Sequence, residues 1–186
     1  MNAETWQALL ALAQRDQEGA LRARVAALTA ELLSRAPHAE LDEPYGRELV
    51  YQTDQGEVML AGWAAEGRSA PHDHGGAHGF VIVVAGRFSE TSYRFDGREL
   101  WPLAGRELAA GDVLRSAPGV IHDMQARERG LTLHLYFPAI HAMRVYDRLA
   151  RATVRVTGAC GAWLPREAAL VLERRFWDAE ARASET

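Results

Sequence analysis

Lysine is missing from this chain. All 21 basic residues are arginines, set against 25 acidic residues for a formal net charge of −4. That balance gives no electrostatic footprint for nucleic acid or an anionic membrane surface. The all-arginine usage reads as coding bias rather than mechanism. Cysteine is almost missing too: Cys160 stands alone, which excludes an intramolecular disulfide framework and fits a reducing compartment. No apolar run approaches the roughly 20 residues of a membrane span. The N-terminus carries Glu4, Arg15, Asp16 and Glu18 early and has no basic n-region, so no signal peptide is expected and the cytoplasm is the expected location. Repeats, low-complexity stretches and long linkers are also lacking. At 186 residues, with 48% apolar and 25% charged side chains, the chain suits one domain with a substantial core.

Residues 2 to 36 read as helix, with a break expected near Gly19. Trp6, Leu9, Leu10 and Ala13 form one apolar stripe, and Leu21, Val25, Leu28 and Leu32 form another at three- and four-residue steps. Pro37 ends the helical region. From Tyr45 the pattern changes to short strands. Leu49-Val50-Tyr51 and Val58-Met59-Leu60 flank an Asp54-Gln55-Gly56 turn and read as a hairpin. Phe80 to Ala85, Phe88 to Phe95, Glu99 to Leu103, Val113-Leu114 and Leu131 to Phe137 continue the series. A short polar helix is expected at about 139–150, a last strand at Thr153-Val154-Arg155-Val156, and a C-terminal helix after Pro165. Many short strands with regular turn signals predict an all-β barrel or sandwich.

The chemistry gathers at Pro71-His72-Asp73-His74-Gly75-Gly76-Ala77-His78-Gly79, where three of the seven histidines fall within seven positions. On an extended strand His72 and His74 share a face, roughly 6.5–7 Å apart, so their imidazoles can converge on one metal ion. A second segment, Gly111-Asp112-Val113 through Pro118-Gly119-Val120-Ile121-His122, makes a turn, a short strand and another turn before it returns one more imidazole. His72, His74 and His122 are therefore the candidate metal ligands. Ligand type alone leaves zinc and iron both open.

These residues resemble the two motifs of the cupin superfamily: Gly67, His72-x-His74 and Gly86 in the first, Gly111 and Pro118-x-Val120-x-His122 in the second. Within it they are most similar to the cysteine dioxygenase (thiol dioxygenase) family. His78, Tyr45-Gly46-Arg47, Thr132-Leu133-His134-Leu135-Tyr136 and Gly161-Ala162-Trp163-Leu164-Pro165 carry that likeness from about residue 45 to 165. The resemblance implies a mainly β fold, the cupin jelly-roll barrel with an N-terminal helical segment and a C-terminal helix. The whole chain, 1–186, would be one cupin domain: helical segment 1–40 packed on the barrel, barrel 45–165, C-terminal helix 166–183.

It further implies Fe(2+) on three neutral imidazoles, since Gly79 stands where cupins usually carry a glutamate. The implied reaction is oxidation of L-cysteine by O2 to cysteine sulfinic acid, by a monomer with no nucleic-acid or membrane partner. Arg47 would bind the substrate carboxylate, with Tyr45 and His78 beside it in the pocket. Asp73 would act from outside the ligand set. Thr132, His134 and Tyr136, spaced by two on one strand face, would form a hydroxyl-imidazole-phenol relay aimed at the metal. In animal relatives a cysteine at the Gly79 position is cross-linked to the tyrosine matching Tyr136; glycine predicts an uncross-linked Tyr136 here. The alternatives are a dioxygenase of another small carboxylated thiol (3-mercaptopropionate, mercaptosuccinate) and a non-catalytic metal-binding or sensing cupin.

Overall fold

The computed structural model describes residues 1–40 and 43–177. The first helix, α1 (Ala3–Gln14), starts where the Asn2 side chain accepts the Thr5 backbone N–H at 3.0 Å and the Thr5 hydroxyl at 2.8 Å. Such a cap satisfies donors that every helix start leaves open. Asp16 takes a left-handed φ of 57° and reverses the chain before α2 (Glu18–Ala27) and α3 (Thr29–Leu33). The break expected near Gly19 thus falls at Asp16, and Gly19 lies inside α2. No helix among the described residues is long and apolar enough to cross a membrane.

Among the described residues twelve strands follow: β1 (Tyr45–Thr53), β2 (Gly56–Trp63), β3 (His72–Asp73), β4 (His78–Ala85), β5 (Arg87–Phe95), β6 (Leu100–Ala109), β7 (Val113–Ser116), β8 (Ile121–Ala126), β9 (Gly130–Phe137), β10 (Ala142–Asp147), β11 (Ala152–Thr157) and β12 (Val171–Phe176). They form two antiparallel sheets, ordered β1-β2-β9-β4-β7 and β12-β11-β10-β3-β8-β5-β6. Beyond the β1-β2 hairpin, the neighbours in the first sheet are far apart in sequence, which is the signature of a wound jelly roll rather than a meander.

The first sheet is buried on both faces, and this explains its continuous apolar runs. Along β2, Met59, Ala61 and Trp63 enter the cluster between the sheets, while Val58 and Leu60 join a second cluster under the helices. β4 divides the same way, with Val81 and Val83 inward and Phe80 and Ile82 outward. On β9, Leu131, Leu133 and Leu135 meet the helical stripes of Leu9, Leu21 and Leu32. Side chains alternate across a strand, so Thr132, His134 and Tyr136 are forced to the barrel interior. The N-terminal helices therefore supply the hydrophobic cover that turns the polar relay inward.

Two expectations are overturned. Residues 142–147 form β10, not part of a short helix: Met143 and Val145 are buried beside exposed Arg144, and both edges of the strand are paired, to β3 and β11. Main-chain pairing at a period of two overrides the helical propensity of this stretch. The C-terminal helix begun at 166 is likewise absent over the described part. A 3₁₀ turn (Ala168–Leu170) leads into β12, which pairs with β11 while nearly all its side chains stay exposed. No buried stripe marks β12, so its sequence carries no period to read. The sheet accordingly runs past residue 165, and residues 178–183 of the expected helix lie outside the described residues.

Leu60 is fully buried in the outer cluster and faces away from the histidines. Leu60→Ala is expected to cost about 2–5 kcal/mol of unfolding free energy, read by urea denaturation, with metal uptake preserved.

Candidate metal centre

His72 lies on β3 directly opposite His122 on β8, and His74 follows two residues on. All three are buried, and one ring nitrogen from each lies within 4.8 Å of the other two. The opposite nitrogens are tied back. His72 Nδ1–H donates to the Ala70 carbonyl at 2.9 Å, His74 Nδ1 meets the Ser116 hydroxyl at 2.6 Å, and His122 Nδ1–H donates to Glu90 at 2.9 Å. The carbonyl and the carboxylate select the Nδ1–H tautomer of His72 and His122 and leave their Nε2 lone pairs free to face the convergence point, and the Ser116 hydroxyl can accept from the same tautomer of His74. His122 Nε2 is buried without a hydrogen-bond partner. A buried acceptor without a donor is costly, and a cation at the convergence point satisfies it.

Electrostatics keep His72 and His74 in ligand form. Burial, then the neighbouring His122, hold His72 down to about 3. Burial and the adjacent imidazoles push His74 well below its ordinary value. Neutral imidazoles at pH 7 can coordinate without first losing a proton. Glu90 is itself steadied: burial works to raise its pKa, yet its bonds to His122 and to Arg106 Nε, at 2.6 Å, bring it net below the ordinary value. The residues present fit a divalent cation held by three nitrogen donors with positions left open.

The relay expected on β9 is continuous. Trp63 Nε1–H donates to Thr132 Oγ1 at 2.9 Å, Thr132 Oγ1 lies 2.8 Å from His134 Nε2, and His134 Nδ1 lies 3.0 Å from the Tyr136 hydroxyl. That hydroxyl lies 3.0 Å from His74 Nε2. One direction gives every donor an acceptor: Trp63 to Thr132, Thr132 to His134, His134 to Tyr136, and the phenol O–H toward His74 Nε2. The reverse direction would set the phenol oxygen against a lone pair and leave the Thr132 proton unplaced. Burial pushes Tyr136 well above its usual value, and burial first, then His122, holds His134 down to about 3. The phenol stays protonated, with its hydrogen aimed at the convergence point of the histidines.

A small cavity of ≈ 30 Å³ opens beside them, lined by Tyr45, Arg47, Glu57, Met59, His72, His74, His134, Tyr136, Ile140 and Met143, among others. Arg47 Nη1 donates to the carbonyls of Gly158 (2.9 Å) and Ala159 (2.7 Å), and its Nε approaches Met59 Sδ at 3.3 Å. Tyr45 accepts the Ala162 backbone N–H at 2.8 Å, and burial pushes its phenol up to about 12. A larger cleft of ≈ 300 Å³, among Phe95, Tyr146 and Trp177, holds none of the histidines.

One sequence expectation changes, at His78, while Asp73 acts from outside the ligand set by orienting backbone. His78 is exposed, on the outward side of β4 with Phe80, and its ring packs edge-on against Phe137 at 4.1 Å. Strand alternation, which places the neighbouring Gly79 inward, turns His78 away from the pocket. Asp73 touches no ligand imidazole; it accepts from the Gly75 N–H, the Tyr146 hydroxyl and Arg144, and so braces the loop between His72 and His74. Gly79 is opposite Tyr136, and a Cβ there would stand 1.9 Å from the Leu135 carbonyl oxygen, so a cysteine cannot be carried without moving β4 or β9. Cys160 is buried, and burial raises its thiol to about 11.

Glu90, Ser116, Trp63 and Glu57 went unread in the sequence. Glu90 shares its strand parity with the buried Phe88, and Ser116 with Leu114. A polar residue in phase with core residues was the available signal.

The sequence model of the family described as cysteine dioxygenase type I matches residues 3–149. Among solved structures, an uncharacterised conserved protein with a double-stranded β-helix domain from Klebsiella pneumoniae subsp. pneumoniae MGH 78578 superposes with a TM-score of 0.51 at 16% identity, covering 61% of this chain and 87% of that one. An RmlC-like cupin from Shewanella frigidimarina NCIMB 400 gives 0.46 at 18% identity over 57% of this chain and 86% of that one. KdgF from Halomonas sp. gives 0.45 at 21% identity over 54% and 85%. The Klebsiella likeness speaks for the fold alone.

Removing the Glu90 brace by Glu90→Ala is expected to weaken divalent-metal affinity roughly 10–100-fold in chelator competition. The depressed histidines also set a pH dependence. Their folded values, about 3 for His72 and His134, lie below the ordinary 6.5, so the unfolded chain binds protons first on acidification. Stability is full above about pH 6.5 and is lost as pH falls toward about 3. The melting temperature of metal-free protein should drop steadily across that window; a flat profile would contradict buried, neutral histidines.

Proposed function

The chain belongs to the cysteine dioxygenase type I family, and from that membership we propose that it is an iron(II) thiol dioxygenase whose substrate is L-cysteine. The overall change is RSH plus O2 to a sulfinic acid: both oxygen atoms pass to sulfur, sulfur gives up four electrons, and dioxygen takes them up. No further oxidant or reductant is needed. The observation that carries this reading is the convergence of three buried imidazoles beside a cavity that also holds an arginine fork.

Iron(II) held by His72, His74 and His122 would supply a Lewis acid that favours thiolate over thiol and a redox centre for dioxygen. The uncharged donor set leaves the charge of such a cation uncompensated, which favours an anionic substrate. Arg47 lines the cavity, and its anchorage through Nη1 to the Gly158 and Ala159 carbonyls limits its swing. A guanidinium so held suits a carboxylate. The Tyr136 phenol holds its proton on the hydroxyl, and the Trp63–Thr132–His134 chain keeps it pointed at the reacting centre. The narrow cavity excludes bulk water and favours a small thiol. Much of the rate would come from holding the reactants adjacent in a fixed orientation. The buried, unpaired Cys160 suits a reducing compartment, and the same reading takes the enzyme as a cytoplasmic monomer formed by one cupin domain.

Iron-loaded protein supplied with a panel of thiols tests this by oxygen uptake and mass spectrometry of the products. L-cysteine should gain two oxygen atoms and outrun 3-mercaptopropionate and mercaptosuccinate. Preference for one of those would reassign the substrate, and metal binding without thiol-dependent oxygen uptake would indicate a sensor. His72→Ala and His122→Ala should lose bound iron. Loss of a charge-assisted pair in Arg47→Ala should raise KM by about 10- to 100-fold with a smaller change in kcat; unchanged saturation would remove Arg47 from its role.

A further inference from the structure

We infer that the cleft among Phe95, Tyr146 and Trp177 is an effector site for a small aromatic anion, felt at the metal centre through Arg144 and Asp73. The cleft lies on the outer face of the second sheet, and the inference does not depend on the substrate proposed above. Its volume of ≈ 300 Å³ stands at the small end of ligand pockets.

One wall is aromatic. The Phe95 ring lies 5.2 Å from that of Tyr146 and 5.0 Å from that of Trp177, and the exposed Phe176 ring lines the same cleft. Trp177 Nε1–H donates to Thr153 Oγ1 at 2.9 Å, which holds the indole in place.

The charge comes from strand register. Asp73, Arg144, Arg155 and Glu173 stand opposite one another in a single row across β3, β10, β11 and β12. Arg144 pairs with Asp73 at 2.8 Å and Arg155 with Glu173 at 3.5 Å, so each guanidinium has its carboxylate at an end of the row. The two arginines are left side by side in the middle, and like charges directly opposite on neighbouring strands repel. An anion between them relieves that repulsion, and arginine forks suit a carboxylate or a phosphate. The next row, Tyr146, Thr153 and Arg175, brings a third guanidinium to the cleft. Among the described lining residues these three arginines face one carboxylate, Glu173, in a chain whose net charge is −4. A ligand that sets a ring against the aromatic wall and an anionic group between the arginines uses both features.

The connection to the metal centre runs through one buried carboxylate. Asp73 stands between His72 and His74, and strand alternation turns it to the face opposite His72. Its Oδ2 accepts from Arg144 Nε at 2.8 Å and from the Tyr146 hydroxyl at 3.0 Å, and its Oδ1 accepts the Gly75 N–H at 2.9 Å. Arg144 and Tyr146 both line the cleft. An anion that draws Arg144 toward Arg155 takes the counter-charge from Asp73 and loosens the turn that carries His74. Occupancy of the cleft then weakens metal binding, and metal binding weakens occupancy by the same factor.

The test begins with calorimetry of metal-free protein against benzoate and adenosine monophosphate, with acetate, inorganic phosphate and phenol as their fragments. At least one aromatic anion should bind about tenfold more tightly than its own anionic fragment and than phenol. Benzoate would point to an aromatic carboxylate as the ligand, adenosine monophosphate to a nucleotide. Arg155→Gln should weaken that binding about tenfold and Arg155→Lys less, with thermal melting as the folding control. Iron(II) affinity is then read by chelator competition with and without the bound probe. It should fall roughly fivefold or more in wild type and stay unchanged in Arg155→Gln at the same probe concentration. Should Arg155→Gln not fold, Phe176→Ala, which removes an exposed ring, replaces it in each comparison. Aromatic anions that bind no better than their fragments, or equally well to the variant, overturn the site. Tight binding that leaves iron affinity unmoved, or moves it equally in the variant, overturns the effector role.

Discussion

Everything in this protein depends on three buried imidazoles brought to one point from β3, the turn after it and β8. Each ring is tied on its far side, to a carbonyl at Ala70, a hydroxyl at Ser116 and a carboxylate at Glu90. The carbonyl and the carboxylate impose the Nδ1–H tautomer on His72 and His122, the hydroxyl accommodates the same tautomer at His74, and the buried Nε2 of His122 has no hydrogen-bond partner of its own. A cation completes the set. The Glu90 carboxylate lies outside the ring of donors, so it can steady His122 without cancelling the charge that would attract a thiolate.

The barrel earns this precision from strands buried on both faces. Leucines at alternate positions of β9 pack under the N-terminal helices, and the intervening Thr132, His134 and Tyr136 have no direction left but inward. The helices, remote from the chemistry, thus fix the orientation of the phenol. Arg47 and Glu57 are placed by the neighbouring β1 and β2, so strand register sets one side of the cavity, and Ile140, Gly161 and Ala162 line it from loops.

Much of this was legible in the sequence where chemistry and periodicity coincide. The His72-x-His74 pair, the returning His122 and the Thr132, His134, Tyr136 alternation announce themselves because spacing by two has one structural meaning on a strand. The helical stripes were legible for the same reason at a period of 3.6. Residues whose role comes from pairing across sheets were not. β10 reads as polar helix until β3 and β11 flank it, and β12 has no buried face at all. The resemblance implied that His78 is a pocket residue, yet one step along β4 reverses its side. Glu90 and Glu57 look like two of many acids; burial in phase with core residues distinguishes them, and burial is a property of the fold.

The most direct measurement is X-ray absorption at the iron edge of the loaded protein, before any thiol is added. Scattering from three imidazole rings, with no carboxylate among the protein donors, is the expected pattern. Fewer than three rings, or Glu90 bound to the iron, would contradict the neutral three-histidine centre on which the proposed chemistry rests.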